Sequence, residues 1–222
     1  MELLCGVSDD AFMSLSTFVR HTGAYDVLEP INSLYRRWRW DHGARQGPPP
    51  SAVKRELLRA TARERCLHTL VETGTYKGDT VRALRSEFST IYSIELDYAL
   101  YHKAVQRCRN QQNARLFQGD SAVLIPQVLR ELKDPTLFWL DAHYSGGETA
   151  KSDLETPILA ELTAIFAQAP AGSVVFIDDH RDFVGGATDY PTAERIEQNA
   201  FAAGFTFAVK DDIMQLYPRT KA

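Results

Sequence analysis

The stretch "VETGTYKGDT", residues 71–80, decides how the chain is read. The short apolar run "LHTLVET" leads into it and reads as a strand with a polar end. Gly74 and Gly78 then make a turn in which backbone can approach a ligand closely. Gly78 and Asp79 open a helix with Val81, Leu84 and Phe88 on one face. The turn is not a dinucleotide fingerprint, because G-x-G-x-x-G would require glycine at Tyr76. Nor is it a phosphate loop, since no Gly-Lys-Ser/Thr follows.

Outward from this turn, strand and helix signals alternate. Upstream, Ser51 caps a helix reaching about Cys66. Downstream, "TIYSIEL" is a strand, and Asp97 caps a helix that turns Tyr101, Ala104, Val105 and Cys108 inward. "ARLFQGD" is a strand, and Ser121 starts a helix carrying Leu124, Val128 and Leu129. "TLFWLDA" is the fourth strand. Thr156 and Pro157 occupy the cap and first turn of a helix whose Ile158, Leu162 and Ile165 face in. "SVVFIDD" is the fifth strand, and Pro191 opens a helix to about Phe201. "FTFAVK" and "DDIMQLY" close the series with too little chain between them for a crossover helix. One of the two is therefore antiparallel. The expected fold is α/β: a Rossmann-like, doubly wound, mainly parallel seven-stranded sheet with an antiparallel C-terminal hairpin.

Residues 1–50 read differently. "INSLYRRWRW" places Ile31, Leu34, Tyr35 and Trp38 at helical spacing, with arginines mostly off that stripe. "DHGARQGPPP" then breaks the helix, and Pro48–Pro50 mark a linker. The expected organisation is a helical extension over 1–50 and an α/β domain over 51–222.

The 222 residues suffice for one domain with an appendage. Hydrophobic residues at 44% and charged residues at 24% describe an ordinary globular protein. A net charge of -4 argues against a nucleic-acid-binding surface. No apolar run reaches the length of a membrane span, and "MELLCGVSDD" lacks the features of a signal peptide. Cys5, Cys66 and Cys108 are scattered and without metal-ligand spacing, as expected for reduced thiols in a cytoplasmic protein.

In open parallel sheets, ligands bind beyond the carboxyl ends of the strands. Each of the first five strands finishes on acid: Glu72, Glu95, Asp120, Asp141 and the pair Asp178–Asp179. His143 and His180 follow the last two ends closely. Glu95 lies 21 residues past Gly74, where a ribose-binding acid belongs in such folds. The inferred ligand carries a ribose and needs no pyrophosphate cradle.

The motifs "VETGTYKGDT", "IYSIELD", "FQGDS" and "FWLDAHYSGG" resemble successive motifs of class I S-adenosylmethionine (SAM)-dependent methyltransferases. The likeness spans roughly residues 51–217, and Glu72, Gly74 and Gly78 match the first motif's E-x-G-x-x-x-G form. It implies that the cofactor is SAM and that the turn residues Glu72, Thr73, Gly74, Thr75, Tyr76 and Gly78 bind it, Gly74 against the methionine part. It further implies that Glu95, with Leu96 beside it, takes the ribose hydroxyls, and that Asp120 and Ser121 border the adenine. Asp141 then lies near the transferred methyl.

In such a fold the fourth and fifth strands are neighbours, so Asp141, Asp178 and Asp179 converge. Three carboxylates repel unless a positive charge intervenes, and Mg2+ or another divalent cation suits an all-oxygen site. The pattern resembles divalent-metal O-methyltransferases acting on catechols and on sugar moieties of antibiotics. That likeness implies Asp141, Asp178 and Asp179 as metal ligands. His143 is the candidate base, with His180 its competitor. The Gly-containing loops "GGETAKSD" and "FVGGATD" are candidates for closing over the substrate.

The expected activity is methyl transfer to a hydroxyl of a sugar or polyhydroxylated natural product. The alternatives are a metal-independent N-methyltransferase of a small amine, a nicotinamide-dependent oxidoreductase and a non-catalytic cofactor-binding protein. The extension over 1–50 is expected to cover the substrate or to mediate a homodimer, against the alternative of a surface helix docking its apolar stripe.

Overall fold

Apolar periodicity translates directly into a layered structure. A computed structural model describes residues 25–43, 47–141, 156–185 and 190–219. The elements are α1 (Tyr25–His42), α2 (Ser51–Arg65), β1 (Thr69–Thr73), α3 (Asp79–Leu84), β2 (Thr90–Glu95), α4 (Tyr98–Cys108) and β3 (Ala114–Gln118). They continue with α5 (Ser121–Leu129), β4 (Thr136–Leu140), α6 (Ile158–Gln168), β5 (Val174–Ile177), a 3-10 turn (His180–Asp182), α7 (Ala193–Ala202), β6 (Phe205–Lys210) and β7 (Ile213–Pro218). The seven-stranded sheet has the order β3-β2-β1-β4-β5-β7-β6. β1 to β5 pair in parallel, and β7 runs antiparallel to both of its neighbours. The doubly wound sheet with a C-terminal hairpin is as expected.

Strand order reverses beside β1, whose partners are β2 on one side and β4 on the other. This switch point opens a crevice at the carboxyl edge. The central strands β4 and β5 are buried along their whole length, as strands covered on both faces must be. On one face, Ile125, Val128, Ile158, Leu162, Ile165 and Ile196 bring α5, α6 and α7 onto the sheet. On the other, Leu58, Ala62, Val81, Leu84 and Cys108 do the same for α2, α3 and α4.

Short polar side chains start the helices. Asp97 accepts from Leu100 N at 2.7 Å, Asp120 from Ala122 N at 2.8 Å and Thr192 from Arg195 N at 3.2 Å. The last cap lies at Thr192, not Pro191. The β6–β7 connection is the two-residue turn Asp211–Asp212, with φ of 49° and 62°; this left-handed pair matches the twist of a hairpin.

Several side chains depart from the expected pattern. α3 ends at Leu84, so Phe88 is buried from the turn beyond it. In α4, Val105 is exposed and Tyr101 only half-buried; Ala104 and Cys108 face the core. In α5, Ile125 takes the core position and Leu124 is half-buried. Each slip is about one residue in a short helix, where two adjacent apolar positions compete for the same stripe.

The chain divides into two units, Met1–Lys54 and Arg55–Ala222, a boundary inside α2. In the first unit, Leu34 and Trp38 of α1 are exposed, and Trp40 is the buried aromatic. Trp38 stacks on Tyr35 and His42. Cys66 and Cys108 are free thiols; Cys5 lies outside the described residues. Among the described residues no helix is long and apolar enough to cross a membrane.

Candidate active site

The turn after β1 is strapped to the end of β2. Gly74 N and Thr75 N both donate to Ile94 O, at 2.9 and 3.2 Å. Tyr76 N donates to Glu95 Oε2 at 2.7 Å, and Asp97 N donates to Glu95 Oε1 at 2.9 Å. Tyr76 reaches this geometry with φ of 50°, a left-handed conformation uncommon for a side chain of its size. Burial raises the pKa of Glu95, and the two backbone N–H groups pull the other way by favouring the carboxylate. Gln118 Nε2 donates to Leu96 O at 2.9 Å and joins the ends of β2 and β3. Asp120 then caps α5, and Ser121 is nearly buried behind it.

Glu72 points into the α2–α4 side of the sheet. It is 1% exposed and accepts from Ser93 Oγ at 2.6 Å. Burial pushes its carboxyl up to about 7, against the lowering effect of the Ser93 and Thr80 hydroxyls. Gly78 faces the same layer: a Cβ there would lie 2.8 Å from Cys108 Sγ, so the glycine permits close approach of α4.

Gly74 links this wall to the other half of the crevice. Its φ is +81°, and a Cβ there would stand 2.4 Å from the Asp141 carbonyl oxygen. Asp141 continues β4 by donating from its N–H to Thr73 O at 3.3 Å, and Asp178 continues β5 by donating to Leu140 O at 3.0 Å. The strand register thereby sets Asp141 beside Asp178. Asp179 adopts φ of 54°, and its N–H donates to Asp178 Oδ1 at 2.9 Å. Carboxylate oxygens of Asp141, Asp178 and Asp179 all lie within 4.8 Å of one another.

A guanidinium borders this cluster. Arg181 Nη1 stands 2.8 Å from Asp179 Oδ1 and also pairs with Asp212 in the β6–β7 turn. The same turn receives Arg181 N on Asp212 Oδ1 and His180 N on Asp212 O, each at 2.9 Å. The hairpin turn thus fixes the backbone that follows the acidic pair. His180 is half-buried at the start of the 3-10 turn. His143, the loop 146–153 and residues 186–189 lie outside the described residues.

Solved structures share this architecture. The O-methyltransferase TomG from Streptomyces achromogenes, involved in tomaymycin synthesis and solved with SAM, has a TM-score of 0.58 at 18% identity, over 85% of this chain and 88% of that one. A putative caffeoyl-CoA O-methyltransferase from Staphylococcus aureus has a TM-score of 0.58 at 13% identity, over 95% and 100%. The O-methyltransferase from Bacillus cereus, in complex with SAH, has a TM-score of 0.55 at 14% identity, over 83% and 88%. The chain has the methyltransferase fold. No protein-family model and no curated protein matches the sequence.

Within this methyltransferase fold the sequence reading missed one acid. Glu161 in the first turn of α6 is completely buried, and neither of its carboxyl oxygens has a hydrogen-bond partner among the described residues. Burial pushes it up to about 7; the nearby Ser121 and Thr73 hydroxyls hold it down, and Asp120 raises it. Those hydroxyls are close, yet neither stands at hydrogen-bond geometry, and Thr73 Oγ1 is itself buried without a partner. The signal was available. Positions 158, 161, 162 and 165 form one helical stripe, and Glu161 is its polar member.

Proposed function

We propose that the chain transfers the methyl group of SAM to a hydroxyl of a small molecule, assisted by a divalent cation. One observation carries the reading: the Asp141–Asp178–Asp179 cluster adjoins the Gly74–Glu95 wall, with the Asp141 carbonyl filling the space over Gly74. The donor chemistry fits both groups. Glu95 is an anchored carboxylate on the rim with lone pairs left for ribose hydroxyls. The cluster is all oxygen, and its spread is close to the roughly 4 Å between opposite ligands of a Mg2+ ion with bonds of about 2.1 Å.

When bound, SAM supplies an electrophilic methyl, and a divalent cation supplies charge that orients and acidifies an acceptor hydroxyl. The protein's share is positioning. Glu95 and the 74–76 turn orient the cofactor, and the Asp120–Ser121 corner borders its adenine. Asp141 belongs to both halves, since its backbone touches the turn and its side chain joins the acid cluster. His143 takes the proton released by the acceptor, with His180 as the competing base.

Arg181 favours a second reading. A guanidinium 2.8 Å from Asp179 offsets part of the cluster's charge without any ion, which suits metal-independent transfer to an amine. Titration calorimetry with SAM and with NAD, then turnover before and after chelation, separates these cases. SAM binding with chelator-sensitive turnover restored by Mg2+ supports the first reading. Undiminished turnover after chelation supports the second, and binding of NAD alone removes both.

A further inference from the structure

We propose that Glu161 is a positioning residue for the adenosine end of the cofactor, its fully buried, unpartnered carboxyl lying behind the unpartnered Thr73 hydroxyl at the end of β1 and the Asp120–Ser121 corner. The inference rests on the reading of that corner as the adenine border. A lone buried acid is costly in an apolar layer. What surrounds Glu161 is not random polarity. Thr73 ends β1, Ser121 starts α5, and Asp120 caps α5 through Ala122 N. All three belong to the rim, and Glu161 reaches them from a third element.

The neutral carboxyl has a donor and an acceptor, so it can serve both hydroxyls at once. The ionised form has acceptors only and faces the Asp120 carboxylate. Asp120 is a charged group that acts on Glu161, β1 and α5 contribute hydroxyls, and the core on this side of the sheet includes apolar residues such as Phe138 and Val175. Ionisation therefore pushes on the cap that holds the start of α5. With its carboxyl held up to about 7, Glu161 changes form across the neutral range, and cofactor affinity falls as pH rises through it. Glu72 is raised similarly, but it lies on the opposite face, and its influence persists in a Glu161 variant.

The test is calorimetric affinity for SAH, an unreactive probe, from pH 6 to pH 8.5 in wild type, Glu161→Gln and Glu161→Leu. Glutamine mimics the neutral acid. Wild-type affinity is expected to fall roughly fivefold across the range, while Glu161→Gln keeps the low-pH affinity and loses most of the slope. Glu161→Leu, if it folds, is expected to be weaker at every pH. Equal slopes in wild type and Glu161→Gln, or flat profiles in both, overturn the role of Glu161 and leave the cofactor assignment standing. Absence of SAH binding to wild type at every pH overturns both.

Discussion

The two halves of the crevice handle negative charge in opposite ways. On the β2 side, Glu95 is clamped by two backbone N–H groups, so a single carboxylate sits satisfied at the rim. On the β4–β5 side, three carboxylates crowd within 4.8 Å, bordered by Arg181. The first arrangement is satisfied by the chain's own backbone. The second gathers three carboxyl groups beside one guanidinium, and it is where the proposed cation would act. One half of the site is tied down by backbone N–H groups, and the other is bordered by an ion pair with Arg181.

Removing a charge from the crowded half gives the largest effect. Asp141→Ala is expected to lower turnover at least a hundredfold, about 3 kcal/mol, while the SAM dissociation constant stays within about twofold. Loss of both in parallel, read by calorimetry beside steady-state kinetics, would erase the division into halves. Gly74→Ala attacks their junction. Its Cβ would collide with the Asp141 carbonyl from a strained backbone, costing about 2–4 kcal/mol in urea unfolding and lowering both affinity and turnover. An alanine variant with wild-type stability would mean that the junction is loose.

Beneath the β1–α5 corner, Glu161 gives a pH signature. Its carboxyl ionises near 4.5 when unfolded and near 7 when folded. Between these values the unfolded chain has released the proton and the native state retains it. The contribution to stability is thus complete below about pH 4.5, declines as pH rises, and is gone above pH 7. Glu161→Gln should melt a few degrees above wild type at pH 8, and the gap should close near pH 4.5. A gap that widens on acidification would show the carboxyl to be ionised in the native state. The smallest effect is expected at the satisfied carboxylate. Glu95→Gln should weaken SAM about tenfold, near 1.5 kcal/mol, with turnover at saturating cofactor little changed. An unaltered dissociation constant would remove Glu95 from ribose binding.

Much of this contrast was legible in the sequence. Strand ends are easy to read because apolar runs stop abruptly, and the acids at 95, 120, 141 and 178 announce the rim. The convergence of Asp141 with Asp178 followed from the strand order that the family resemblance implies, and the register of β4 on β5 bears it out. What could not be read was the direction of side chains inside a motif. Glu72 and Gly78 sit in a cofactor signature, yet the structure turns one toward Ser93 and packs the other on Cys108. Strand alternation decides the first and helix approach the second, and neither is visible in spacing. Glu161 was overlooked for the opposite reason: it sits in no motif, and a glutamate in a helix is ordinarily a solvated residue. Arg181 pairs with Asp179 close by and with Asp212, which is remote in sequence and not visible in spacing.

The turn at Asp211–Asp212 carries a consequence for how the crevice comes into being. It secures the peptide after Asp179, yet ribosomes add it more than thirty residues later. The acidic corner is therefore braced only when β7 lies beside β5, so shortening the chain before β7 would leave the backbone after Asp179 without this support.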